Sequence, residues 1–172
     1  MEQNIKTILK ERARKLAEPL KDDSLQINHV EVLEFLLATE NYGIESSFVR
    51  EVYPLKDFTV LSTAPAFVFG IINVRGEILS IIDIRKFFDL PVVDLSDLNR
   101  VIIVHNQEMN FGILAERVVG LRTIDKVDIL PPLPTLQGIR REYLKGITKE
   151  QLVILDGFKL LSDKNIIVGE QN

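Results

Sequence analysis

The sequence predicts a mainly β protein made of two similar halves, preceded by one amphipathic helix. Three observations carry this reading. From about Val32, short β-branched and aliphatic runs alternate with turn residues, as in β-rich chains. A set of short motifs recurs at an offset of about 70 residues, far longer than a solenoid period. Before Val32 the pattern differs: Ile5, Ile8, Leu9, Ala13, Leu16, Ala17 and Leu20 recur at spacings of three and four, the period of a helix with one apolar face.

Composition sets the bounds. The chain has 172 residues, enough for one ordinary domain or two very small ones. Apolar residues make up 46% and charged residues 27%, the balance of a soluble globular protein. The net charge of −4 is spread along the chain with no basic stripe, which argues against nucleic-acid binding. Cysteine is absent; disulfides, thiolate catalysis and Cys-based metal sites are excluded, and a reducing, cytoplasmic setting is expected. Charges fall in every turn of residues 1–22, so no signal-peptide core is present. No run approaches the roughly 20 apolar residues of a membrane helix, so no direct membrane insertion is expected.

The elements follow in order. The leading helix occupies residues 1–24. Lys6, Lys10, Glu11, Arg14 and Lys15 fill its polar face, and Pro19 with Lys21-Asp22-Asp23-Ser24 ends it. The segment has three readings: a helix packed on its own domain, a helix that binds a partner or second copy, or disorder. The main domain spans 30–165. Its expected strands are Leu33–Thr39, Gly43–Ser46, Val49–Tyr53, Gly70–Val74, Glu77–Ile82, Arg100–His105, Asn110–Ala115, Arg117–Thr123, Leu144–Thr148 and Gln151–Leu155. Asn41-Tyr42, Arg75-Gly76 and Asn106-Gln107 sit where hairpin turns belong, with Gly76 supplying a positive φ. Short helices are expected after Asp83 and Asp156, and Pro131, Pro132 and Pro134 mark an irregular extended crossing. Residues 166–172 form a tail whose Ile166-Ile167-Val168 run suits a strand or an anchoring segment better than a helix.

The repeat organises these strands. Tyr42-Gly43-Ile44 is echoed by Phe111-Gly112-Ile113, and Val49-Arg50-Glu51-Val52 by Val118-Val119-Gly120-Leu121. Gly70-Ile71-Ile72 is echoed by Gly146-Ile147-Thr148. Ile81-Ile82-Asp83 before Lys86-Phe87-Phe88 matches Ile154-Leu155-Asp156 before Lys159-Leu160-Leu161. Two copies of about five short strands imply two small barrels or curled sheets. Neither copy alone buries a sufficient core, and the groove between them is a natural binding place.

No catalytic constellation emerges. His29 and His105 are far apart and lack metal-ligand spacing. The serines lack a nucleophile-elbow context, and no phosphate-binding glycine loop is present. Asp83 and Asp156 fall at matching repeat positions. Paired carboxylates serve acid–base chemistry, but recurrence in both halves favours a helix-capping role for each. Asn73-Val74-Arg75-Gly76 differs, because Lys149-Glu150-Gln151-Leu152 does not echo it. A charge set among apolar strands tends to be paired, and Glu51, between Val49 and Val52, is the expected partner of Arg75.

The stretch Asn73-Val74-Arg75-Gly76-Glu77-Ile78-Leu79-Ser80-Ile81-Ile82-Asp83-Ile84-Arg85, led by Pro65-Ala66-Phe67-Val68-Phe69-Gly70, resembles the CheW family of chemotaxis adaptors. The family pattern there is Gly, two apolar residues, Asn-x-Arg-Gly, an apolar strand and Asp-(Leu/Ile)-Arg. Further matches are Tyr42-Gly43-Ile44, Val49-Arg50-Glu51-Val52, Tyr143-Leu144-Lys145-Gly146 and Leu152-Val153-Ile154-Leu155-Asp156. The resemblance covers about Leu33 to Leu161. It implies two intertwined five-stranded SH3-like barrels, no catalysis and no cofactor. It implies two partners: the regulatory domain of a CheA-type histidine kinase, and the cytoplasmic tip of a chemoreceptor (a methyl-accepting chemotaxis protein). Carried over by position, Val49, Glu51, Asn73, Val74, Arg75 and Gly76 fall in the contact region; Val101, Ile103 and Val118 are groove or core candidates. The chain departs from the family at Ala115-Glu116-Arg117-Val118, where Val-Asp-x-Val is usual, and in its leading helix, which the shortest members lack. An adaptor of another chemosensory pathway, serving twitching motility or a second messenger, and a small-ligand-sensing module are the alternatives.

Overall fold

Burial alternates along the central strands, as a sheet with one face on a core demands; residues 68–74, for example, switch between buried and more open positions at every step. The computed structural model describes residues 2–17, 28–134 and 139–166. Helix α1 is Glu2–Ala17. The strands are β1 His29–Leu37, β2 Glu40–Glu45, β3 Val49–Pro54, β4 Phe58–Thr59, β5 Val68–Val74, β6 Glu77–Ile82, β7 Arg100–His105, β8 Asn110–Ala115, β9 Arg117–Asp125, β10 Leu144–Ile147 and β11 Val153–Leu155. Three short helices interrupt them: α2 Ile84–Phe87, α3 Ile139–Glu142 and α4 Gly157–Ser162. Asp83 and Asp156 cap α2 and α4, accepting from the backbone N–H of Arg85 and Lys159.

One sheet has the order β10-β11-β2-β1-β9 and the other β3-β7-β8-β6-β5-β4. By the repeat, β1 to β6 are one copy and β7 to β11 the other. Each copy therefore gives its first two strands to its sister's sheet. The two joints are equivalent. β2 runs parallel to β11 with Gly43 opposite Ile154, and β8 runs parallel to β6 with Gly112 opposite Ile81.

The core follows the exchange. A small cluster inside the six-stranded sheet holds Ile72, Val74, Leu79, Ile81, Val101, Ile103 and Leu114. Another, inside the five-stranded sheet, holds Val32, Ile124, Leu152 and Ile154. The largest draws Phe35, Tyr42 and Leu155 from one sheet and Val68, Ile102 and Ile113 from the other. Ile166 is buried in it, so the first residue of the tail run is core; 167–172 lie outside the described residues, as do Pro19 and the 21–24 helix stop.

The first hairpin differs from expectation in two ways. The first hairpin turns at Ala38-Thr39, with Leu37 opposite Glu40, so Asn41 and Tyr42 lie within β2. Ala38 takes a φ of 54°. Its N–H donates to Glu116 Oε1 at 2.8 Å, and Glu116 N–H donates to Leu36 O at 3.0 Å. A contact across the chain thus overrides the local turn preference for Asn. The first strand also begins earlier, because His29 to Val32 pair with β9; His29 there sits 3.2 Å from Asp125.

Gly70 and Gly146, equivalent in the repeat, are each crossed by another segment's backbone. A Cβ would meet Thr59 O at 2.2 Å in the first case and Leu130 O at 2.3 Å in the second. Gly70→Ala and Gly146→Ala should each lower stability by about 2 kcal/mol or more, read as a lower urea midpoint at unchanged slope.

Candidate protein-binding site

The β5–β6 hairpin turns in two residues, with Val74 opposite Glu77. Both turn residues are left-handed, Arg75 at φ 54° and Gly76 at φ 87°, the pattern of a type I′ turn, which normally takes Asn-Gly. Asn73 supports it by accepting the Gly76 N–H at 2.9 Å. An arginine in this conformation costs on the order of 1 kcal/mol.

The side chain of Arg75 is 80% exposed, yet Nη2 lies 3.2 Å from Glu51 Oε2 on β3. Arg50 Nε is 3.6 Å from the same carboxylate, and its Nη1 donates to Glu77 Oε2 at 2.9 Å. Asn110 of β8 donates to the other Glu77 oxygen. A chain of alternating charge thus crosses the outside of the six-stranded sheet, around a shallow depression lined by Arg50, Glu51, Val74, Arg75 and Glu77. The hydrogen bond from Arg50, and then that from Asn110, hold the Glu77 carboxyl below the usual carboxylate range.

Glu51, Asn73, Arg75 and Gly76 therefore come together at one surface, and the expected Glu51–Arg75 pair is present. Val74 is buried beneath them, and Val101 and Ile103 are fully buried inside the same sheet. The side chains of these three belong to the core of that sheet, and Val74 also lines the depression. Val49 and Val118 are half-buried and pack against the central cluster; Val118 belongs to the other sheet. Sequence reasoning missed Arg50, Glu77 and Asn110 as members of the charged chain. Glu77 was legible only as the residue after the turn glycine.

Next along the chain lies a buried ion group. Arg85 on α2 is 2% exposed. Its Nε donates to Asp83 Oδ1 at 2.8 Å and its Nη2 to Asp83 Oδ2 at 2.9 Å. Its Nη1 donates to Glu116 Oε1 at 3.0 Å and to Val93 O at 3.2 Å. Asp83, and behind it Glu116, keep the guanidinium pKa above its ordinary value despite burial. Phe158, the repeat counterpart of Arg85, is exposed, so this group belongs to the first copy only. Among the described residues, no group of three or more His, Asp or Glu is placed to hold a metal.

Two strand-exchanged sheets around a shared core, with a charged surface on one of them, define a two-barrel binding module. A family model described as the CheW-like domain matches residues 31–165, and the chain belongs to that family. It is 29% identical over 160 residues to the chemotaxis protein CheW of Treponema pallidum, covering 89% of this chain and 91% of that one. It is 31% identical over 124 residues to Protein FrzA of Myxococcus xanthus, covering 69% and 77%. Among solved structures, the scaffolding protein TtCheW from Thermoanaerobacter tengcongensis superposes with a TM-score of 0.70 at 30% identity, covering 80% of this chain and 90% of that one. The two barrels expected from the sequence are thus the family's fold.

Two predictions separate the charged groups. Arg85→Ala strands two carboxylates in the interior and should cost about 3–5 kcal/mol, whereas Arg75→Asn, which suits the left-handed turn, should stay within about 0.5 kcal/mol of wild type; urea titration of both compares them directly. The Glu77 carboxyl should titrate by NMR below the ordinary glutamate value of about 4.3, and Arg50→Ala should move it back up. Because that pKa is depressed in the fold, the contribution of Glu77 is present above the unfolded value and is lost as pH falls through the folded one.

Proposed function

We propose that this chain is a non-catalytic, cytoplasmic adaptor that couples chemoreceptors to a CheA-type histidine kinase. The surface of Glu51, Asn73, Arg75 and Gly76 is its docking site, with Arg50 and Glu77 extending it. The observation that carries this is Arg75. It occupies a turn position that asparagine or glycine fills with less strain, it remains 80% exposed, and its second-copy counterpart Gln151, left-handed as well at φ 65°, carries no charge. A residue held in strain and presented to solvent is expected where a partner reads it.

The surface suits protein recognition better than chemistry. It alternates charge over a shallow depression, and such complementarity sets partner choice and encounter rate more than raw affinity. A small-ligand module calls for an enclosed pocket with converging polar groups, and this depression is open. Among the described residues no helix is long and apolar enough to cross a membrane.

Calorimetric titration against a kinase regulatory domain and a receptor cytoplasmic tip tests the reading. Wild type should bind both. Arg75→Glu, which reverses the charge beside Glu51, should weaken at least one partner by roughly tenfold or more, a loss of about 1.4 kcal/mol, with the fold intact. Glu51→Gln should have a smaller effect in the same direction. Binding to neither partner by the wild-type chain would sink the proposal.

A further inference from the structure

Between α2 and β7 the chain runs through Asp89-Leu90-Pro91-Val92-Val93-Asp94-Leu95-Ser96-Asp97-Leu98. Its backbone is pinned at two places. Val93 O accepts from the buried Arg85. The Asn99 side chain, itself buried, accepts the Ser96 N–H at 2.6 Å and donates to Ala115 O at 3.1 Å. On this fixed backbone Val92, Val93, Leu95 and Leu98 stand outward, each 46–56% exposed. Four large apolar side chains displayed by a pinned loop form a patch of the kind that marks a binding surface, and the pinning has already met the ordering cost of docking. The loop carries three aspartates and no basic residue.

Helix α1 is its complement. Ile5, Ile8 and Leu9 are 50–59% exposed, and residues 5–13 are open to solvent on every side. The helix has five basic residues (Lys6, Lys10, Arg12, Arg14, Lys15) against two acidic ones (Glu2, Glu11). A 16-residue helix is marginal in water unless its apolar face is covered. Another exposed apolar pair, Val119 and Leu121 of β9, lies on a strand with two arginines, Arg117 and Arg122, and one acidic residue, Asp125, a poorer match for a basic helix than the acidic 89–98 loop. Residues 18 to 28 link α1 to β1. Eleven residues reach at most about 38 Å, close to the diameter of a domain this size. That reach lets the helix meet its own domain, an encounter that does not depend on protein concentration as one with a second copy does.

We propose that the 89–98 loop is a docking surface for a basic amphipathic helix, and that its occupant is α1 of the same chain. The chain has no cysteine, so Ile8→Cys with Leu95→Cys in the full-length protein introduces one reporter pair at exposed positions. Mild oxidation should give an intramolecular disulfide, seen as a faster monomer band on a non-reducing gel. Adding Asp94→Lys and Asp97→Lys should cut its yield at least fivefold, and Lys6→Glu with Lys10→Glu on top should restore it. By hydrogen exchange, α1 amides should exchange at least tenfold slower in wild type than in Asp94→Lys/Asp97→Lys. A covalent dimer in place of the monomer product assigns the helix to a second copy and overturns the proposal. So does the absence of any crosslink together with α1 exchange that the aspartate substitutions leave unchanged.

Discussion

Arg85 is the constraint from which much of the arrangement follows. A guanidinium removed from water needs several fixed acceptors, because desolvation of an unpaired charge costs far more than a surface ion pair returns. Asp83 supplies two acceptor oxygens and also caps the helix that carries Arg85. Glu116 supplies a third and simultaneously holds the N–H of Ala38 in the other sheet. Val93 O supplies the fourth and so fixes the loop that follows. One side chain thereby ties the end of the six-stranded sheet, the first hairpin of the five-stranded sheet and the 89–98 loop. Glu116 thus spans from Ala38 to Arg85.

The exchange of strands explains why the largest apolar cluster lies between the sheets. Each barrel is small: four fully interior residues line one and seven the other. Neither interior would offset the conformational entropy of ordering its strands. The shared cluster makes the two sheets one cooperative unit, so the charged surface around Arg75 rests on a base that both copies support.

Much of the strand pattern was legible. Glu77–Ile82, Arg100–His105 and Asn110–Ala115 have the bounds read from the sequence, because turn residues flank each apolar run. The Glu51–Arg75 pair was legible because a charge among apolar strands needs a partner. The two-residue β4 and the short α3 left no periodic signal. Ala38-Thr39 was invisible as a turn because its cause, Glu116, lies 78 residues away. The burial of Arg85 was equally hidden, since arginine is ordinarily a surface residue. Val101 and Ile103 stood open between groove and core; alternation assigns a face to each residue but does not say which face of a curled sheet closes on itself.

The strand exchange also bears on ancestry. A chain containing only one copy would have β1 and β2, or β7 and β8, with no sheet of its own to join. Two such chains related by a twofold axis could trade those strands and complete each other, as in a domain-swapped homodimer. The present molecule has the form of that dimer joined end to end, with the 89–98 segment as the splice. The halves are not identical: the second has Gln151, also left-handed, where the first has Arg75, and Phe158 where the first has Arg85. Asymmetry of this kind lets a molecule with twofold architecture distinguish one partner from another.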